Sequence, residues 1–106
     1  NLSTLPKIID KLGGVEMNIT SDELNYINSY IDNIDKENGT NTEHITSSGY
    51  QLLNGTQAAA YCRIRYTEGR DFKRTERQRD VLAALFTNLK ILKQQKARDL
   101  CQNYYL

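Results

Sequence analysis

The chain has 106 residues, 39% of them hydrophobic and 25% charged, which bounds it to one domain with a thin core. Its mean hydropathy is -0.65, but the apolar residues recur periodically, which excludes a disordered tail, and no apolar run approaches the ~20 residues of a membrane span. A net charge of +1 conceals a basic island, and two cysteines with one histidine exclude a disulfide framework and a zinc centre.

Ser3 is placed to cap a short helix carrying Pro6, Ile8, Ile9 and Leu12, with Gly13-Gly14 as its end. Val15-Glu16-Met17-Asn18-Ile19 alternates apolar and polar residues, as a half-buried strand does. Thr20 and Glu23 have capping-box spacing, and Leu24, Ile27, Ile31 and Ile34 recur at steps of three and four, so a helix is expected over 21–36. Residues 38–49 are polar and loop-like, with a short strand expected around His44-Ile45-Thr46. After the turn signal Asn54-Gly55, Thr56 is placed to cap a helix through Tyr61. Gly69 breaks the chain in a charged loop, and a long helix is expected from about 75 to 98 with Val81, Leu82, Leu85, Phe86, Leu89 and Leu92 as one apolar stripe. The fold class is therefore α+β, with few strands and a long C-terminal helix. Such a strand deficit, with a start at Asn1-Leu2-Ser3-Thr4, reads as a fragment of an α-β-α layered domain over residues 1–106.

The charges are unevenly spread. Residues 1–60 carry 3 basic and 8 acidic side chains, whereas residues 63–79 carry 7 basic and 3 acidic ones. A basic island in an acidic chain implies a local anion site. If residues 63–65 are extended, Arg63 and Arg65 lie on one side, ~7 Å apart. If residues 74 onward are helical, Arg74 and Gln78 share a face at i,i+4. Arginine suits phosphate because its fork donates two parallel hydrogen bonds and stays charged. A helix starting near Arg74 would add free backbone N–H groups. The set reads as a phosphate or pyrophosphate cradle. It also reads as a solvated face paired with Glu68, Asp71 and Glu76. Nucleic-acid binding is the weakest of the three readings, because acidic residues interrupt the island and the pI is about 7.9. His44 reads as a surface residue, Cys62 as a buried packing residue, and the Tyr26, Tyr30, Ile27, Ile31 and Ile34 set as core.

Leu53-Asn54-Gly55, Gln57-Ala58, Ala60-Tyr61, Arg63-Ile64-Arg65-Tyr66, Asp71-Phe72 and Arg74-Thr75-Glu76-Arg77-Gln78-Arg79 together resemble the signature of the LytR-CpsA-Psr family. Upstream, Ile9 to Glu16 with Asn18-Ile19 resembles that family's helix-to-strand segment, so the resemblance spans about residues 5–86. It implies a membrane-anchored bacterial phosphotransferase, or glycopolymer ligase, whose catalytic domain lies on the extracellular face of the cytoplasmic membrane, in the cell wall. Such enzymes move a glycopolymer, of the wall teichoic acid or capsular polysaccharide type, from a polyprenyl-pyrophosphate carrier to peptidoglycan, assisted by Mg²⁺. An older name for the domain is cell-envelope-related transcriptional attenuator. Carried over by position, Arg63, Arg65, Arg74 and Gln78 would bind pyrophosphate, and Arg65, Asp71 and Arg74 would form the catalytic set.

Gly69-Arg70-Asp71-Phe72 departs from the family's Gly-Asp-Phe by an inserted arginine. The family's N-terminal half, with its acidic metal ligands and membrane anchor, is expected outside this chain. No metal ligand is therefore expected within it, and the fragment alone is expected to be inactive. Exposed apolar surface on the 81–92 stripe or the 24–34 helix is expected to favour homo-oligomers. The alternative reading, from another class, is a non-catalytic anion-binding or regulatory module, including a nucleic-acid-binding attenuator.

Overall fold

A computed structural model describes residues 4–65 and 69–105, apart from the side chains of residues 70, 71, 104 and 105. Ser3 and Glu68 lie outside the described residues. The elements run α1 (Leu5–Lys11), β1 (Val15–Ile19), α2 (Ser21–Asn38), β2 (Gly49–Leu53), α3 (Gly55–Arg63) and α4 (Arg70–Tyr105). This is the expected mixed α+β architecture with a long C-terminal helix.

β1 and β2 pair antiparallel, with Val15 opposite Leu53 and Ile19 opposite Gly49. The alternation of β1 buries Val15, Met17 and Ile19 and leaves Glu16 and Asn18 exposed, as a period of two requires. The inner face meets a core that includes Ile9, Ile27, Ile31, Ile34, Ala58, Ile64, Val81 and Leu85. Tyr50 and Leu52 stand exposed on β2. Between α1 and β1, Gly14 has φ +95°, and a Cβ there would lie 2.6 Å from the Leu53 carbonyl oxygen. Only glycine lets the two strands meet so close to the helix end.

α2 begins with a full capping box. The Thr20 hydroxyl accepts from the Glu23 N–H at 3.1 Å, and Glu23 Oε1 accepts from the Thr20 N–H at 2.9 Å. Gly39 ends the helix in the left-handed region. Ile27, Ile31 and Ile34 are buried as expected, and Tyr26 and Tyr30 are half-buried.

Three expected elements differ. Residues 44–46 are not a strand. There the Asn28 side chain takes the place of a strand partner, donating Nδ2 to the Ile45 carbonyl at 2.9 Å and accepting the Ile45 N–H at 2.8 Å. One amide side chain thus satisfies both backbone groups of a buried residue. α3 is capped by Asn54, not Thr56: Asn54 Oδ1 accepts from the Gln57 N–H, and Gln57 Oε1 accepts from the Asn54 N–H, both at 2.9 Å. Lastly, α4 starts at Arg70 directly after Gly69, whose φ is +87°. Arg74 therefore sits one turn inside the helix, and its N-terminal N–H groups lie before it rather than beside it.

Gly55 opens α3 against α1. A Cβ at Gly55 would lie 2.0 Å from the Pro6 carbonyl oxygen, and Asp10 Oδ1 accepts the Gly55 N–H at 2.6 Å. A carboxylate from one helix thereby satisfies an orphan donor at the start of another. Along α4 the buried positions among the described side chains are Arg77, Val81 and Leu85, a strict i,i+4 ladder. Leu82, Phe86, Leu89 and Leu92 are exposed, so the expected six-residue stripe is only partly covered. The 24–34 face of α2 is covered, and the exposed apolar surface is on α4. Among the described residues, no helix is long and apolar enough to cross a membrane.

Candidate anion-binding cavity

A cavity of about 540 Å³ opens between α1, α2, α3 and α4, and it takes in Arg63, Arg65, Arg74 and Gln78 together. α3 ends at Arg63, with Ile64 extended (φ -61°, ψ 129°) and fully buried. Burial of Ile64 turns the arginines on either side of it outward. The pair is thus built by a helix end and an anchored core residue, not by the extended 63–65 segment that the spacing predicted. Arg74 and Gln78 come from α4 at i,i+4 and are half-buried, whereas Arg63 and Arg65 are exposed. Apolar walls complete the cavity: Leu5 and Pro6 from α1, Tyr30 and Ile34 from α2, and Ala59 from α3.

Glu37 also lines this space, and its carboxylate lies 3.6 Å from Arg63 Nη1. Three guanidinium groups against one carboxylate leave the cavity positive. Nothing in the acidic composition of residues 1–60 singled out Glu37. Its place three residues beyond Ile34, on the face of α2 that carries Tyr30, is the signal that marks it. Tyr30 and Ile34 serve both as packing residues and as cavity wall. Cys62 borders the cavity as well, and burial pushes its thiol up to about 11. It is inert at neutral pH. Asp71 falls in the first turn of α4 by its backbone, and its side chain lies outside the described residues.

Arg77 differs from the other arginines of the island. It is 4% exposed, and its Nε donates to Glu23 Oε2 at 2.6 Å while its Nη1 donates to the Ile64 carbonyl at 3.0 Å. Its charge gives no sign of burial. Its register with Val81 and Leu85 is the signal that placed it inside. Of the acidic partners in the solvated-face reading, Glu76 pairs with Lys73 at 3.4 Å, while His44 lies on the surface as expected and meets Asp32 at 2.7 Å. Asp35 is held below its ordinary value by hydrogen bonds from the hydroxyls of Thr40 and Thr42, which fastens the loop after α2.

A larger cavity of about 750 Å³ lies between Gly14, Glu16 and the later part of α4. Its lining carries one cation, Lys11, and one carboxylate, Glu16, so no like charges converge there. Among the described residues, no group of three or more His, Cys, Asp or Glu is placed to hold a metal ion. The described residues thus form no all-protein oxygen cage for a divalent cation.

Taken together, the elements form an α+β unit whose cavity has an arginine-rich mouth and apolar walls. The LytR_cpsA_psr family model matches residues 1–103. Among solved structures, Bacillus subtilis TagT is similar at 28% identity and a TM-score of 0.60, covering 85% of this chain and 33% of TagT. TagT (YwtF) with bound octaprenyl pyrophosphate lipid is similar at 27% identity and a TM-score of 0.55, covering 85% and 32%. TagT bound to LI-WTA is similar at 28% identity and a TM-score of 0.59, again covering 85% and 32%. No curated protein matches the chain. The chain belongs to the LytR-CpsA-Psr family, and it spans about a third of the length of these solved relatives.

Proposed function

We propose that this chain is the pyrophosphate-gripping part of a glycopolymer phosphotransferase. The convergence of Arg63, Arg65, Arg74 and Gln78 on one apolar-walled cavity carries this reading. A polyprenyl pyrophosphate has the same two halves, a diphosphate and a hydrocarbon tail. The likeness to TagT, solved with octaprenyl pyrophosphate lipid and with LI-WTA, supports it. In the proposed reaction an acceptor hydroxyl of peptidoglycan attacks the glycan-bearing phosphorus. A phosphodiester forms, the bond to the second phosphate breaks, and polyprenyl phosphate leaves while the hydroxyl gives up its proton. The arginine forks neutralise charge on the non-bridging oxygens, which is most of what such a transfer asks of a protein. The polymer is of the wall teichoic acid or capsular polysaccharide type, and the site of action is the outer face of the cytoplasmic membrane.

Mg²⁺ belongs to this proposal only for a longer protein with further carboxylates, and no step here is routed through it. By itself the chain is expected to hold pyrophosphate lipid weakly and to transfer nothing. The test measures retention of polyprenyl pyrophosphate by the 106-residue chain, and turnover by a longer protein containing it. Arg63→Ala should abolish retention. Arg65→Ala or Arg74→Ala should each remove roughly 2–4 kcal/mol of transition-state stabilisation, a rate loss on the order of 30- to 1000-fold. Turnover by the short chain equal to that of the longer protein would refute the division of labour. Salt-dependent binding to duplex DNA instead would favour a regulatory module.

A further inference from the structure

The two arms of the cavity come from different elements: Arg63 and Arg65 flank the end of α3, and Arg74 and Gln78 lie on α4. The buried Arg77–Glu23 pair is joined to both arms. Arg77 Nη1 holds the carbonyl of Ile64, the residue between Arg63 and Arg65, at 3.0 Å. Arg77 also lies between Arg74 and Gln78 in sequence, three residues on from Arg74, on the adjoining buried side of the same helix. Its Nε donates to Glu23 Oε2 at 2.6 Å, and the other oxygen of Glu23 is already fixed in the α2 capping box. One side chain thus ties the start of α2, the backbone between two cavity arginines, and the helix bearing the other two groups.

Both members are buried, at 4% and 7% exposure. Two charges removed from water contribute little net stability compared with well-packed apolar residues of similar volume. What an ion pair supplies that an apolar pair cannot is direction: a fixed fork with two partners at set angles. We infer that Arg77 and Glu23 are positioning residues that set the separation of the two cavity arms for a diphosphate-sized anion. They do so without touching the anion. The inference rests on the anion-cavity reading above.

The experiment compares binding of inorganic pyrophosphate by the 106-residue chain and three variants, with thermal melting of each. Glu23→Leu/Arg77→Met replaces the pair by apolar side chains and leaves the net charge unchanged, so long-range electrostatics stay constant. Arg77→Lys keeps the charge opposite Glu23 but lacks the second arm that reaches Ile64. Arg63→Ala reports on the cavity itself. The double variant should melt at or above the parent temperature yet bind pyrophosphate at least tenfold more weakly. Arg77→Lys should also bind at least tenfold more weakly while remaining folded. Parent-like affinity in either folded variant overturns the inference, because the pair would then be dispensable for binding. Loss of folding in both overturns it as well, since the pair would then hold up the fold rather than set the cavity. No binding by the parent, or undiminished binding by Arg63→Ala, is a different failure, that of the cavity reading itself.

Discussion

Arg63 and Glu37 meet across 3.6 Å with about half of each side chain exposed, a pairing worth at most about 1 kcal/mol in water. An incoming polyanion must share Arg63 with that carboxylate. Glu37→Gln should therefore raise pyrophosphate affinity about fivefold at low ionic strength. The gain should fade near 1 M salt, where the Debye length is about 3 Å. Titration calorimetry at two salt concentrations checks this, and weaker binding by the variant would mean that Glu37 helps to hold the ligand. Cys62 gives a second prediction at this scale. Burial moves its thiol from 9.0 to about 11, so at pH 8 it carries about a hundredfold less thiolate than an ordinary thiol. A thiol reagent at pH 8 should label the exposed Cys101 first, with Cys62 lagging by about that factor or more. The sign for stability follows: the folded state holds this proton more tightly. Cys62 thus leaves stability unchanged below about pH 9 and lowers it as pH rises toward 11.

At the scale of elements, the start of α3 is the most constrained junction described. A Cβ at Gly55 would collide with the Pro6 backbone at 2.0 Å, and backbone yields less readily than a side chain. Gly55→Ala should cost about 2 kcal/mol or more, while Asn54→Ala, which removes a cap, should cost about 1 kcal/mol. Urea midpoints of the two variants give the order directly. The junction also shows which features a sequence exposes. α2 and β1 were legible because their signals are local: a capping box at Thr20 and Glu23, and alternation over 15–19. Within the cavity lining, Arg74 and Gln78 were legible from their i,i+4 spacing, whereas Arg63 and Arg65 were singled out by charge and the family resemblance, since a helix end and not an extended segment places them. Residues 44–46 misled because an extended segment looks alike whether a strand or the Asn28 side chain satisfies it. The i,i+4 register of Arg77 with Val81 and Leu85 marks the buried side, but its partner Glu23, 54 positions away, leaves no local sign. Burial of a charge depends on that partner, not on its neighbours in sequence. The early start of α4 followed Gly69, a breaker that ends one segment and frees the next to begin at once.

On the scale of the whole molecule, α4 outruns the body it packs on. Its 36 residues, at 1.5 Å per residue, make a rod of about 54 Å, matching the longest dimension in the extents of 54 × 30 × 27 Å. From Leu89 to Asn103 every residue is exposed, so tertiary contacts protect only the first half. Hydrogen exchange should find the amides of 77–88 protected and those of 93–103 exchanging much faster, as expected where few buried contacts hold a helix. Uniform protection along α4 would show that the second half is held by something else, such as self-association. A rod of this length also governs how the molecule turns in solution. Helical N–H bonds lie along the helix axis, and with one dimension about twice the others, reorienting that axis requires slow end-over-end tumbling. In ¹⁵N relaxation, the amides of 77–88 should give higher R2/R1 ratios than amides whose bonds point across it. The arm would thus act as an internal compass for every other bond vector in the domain.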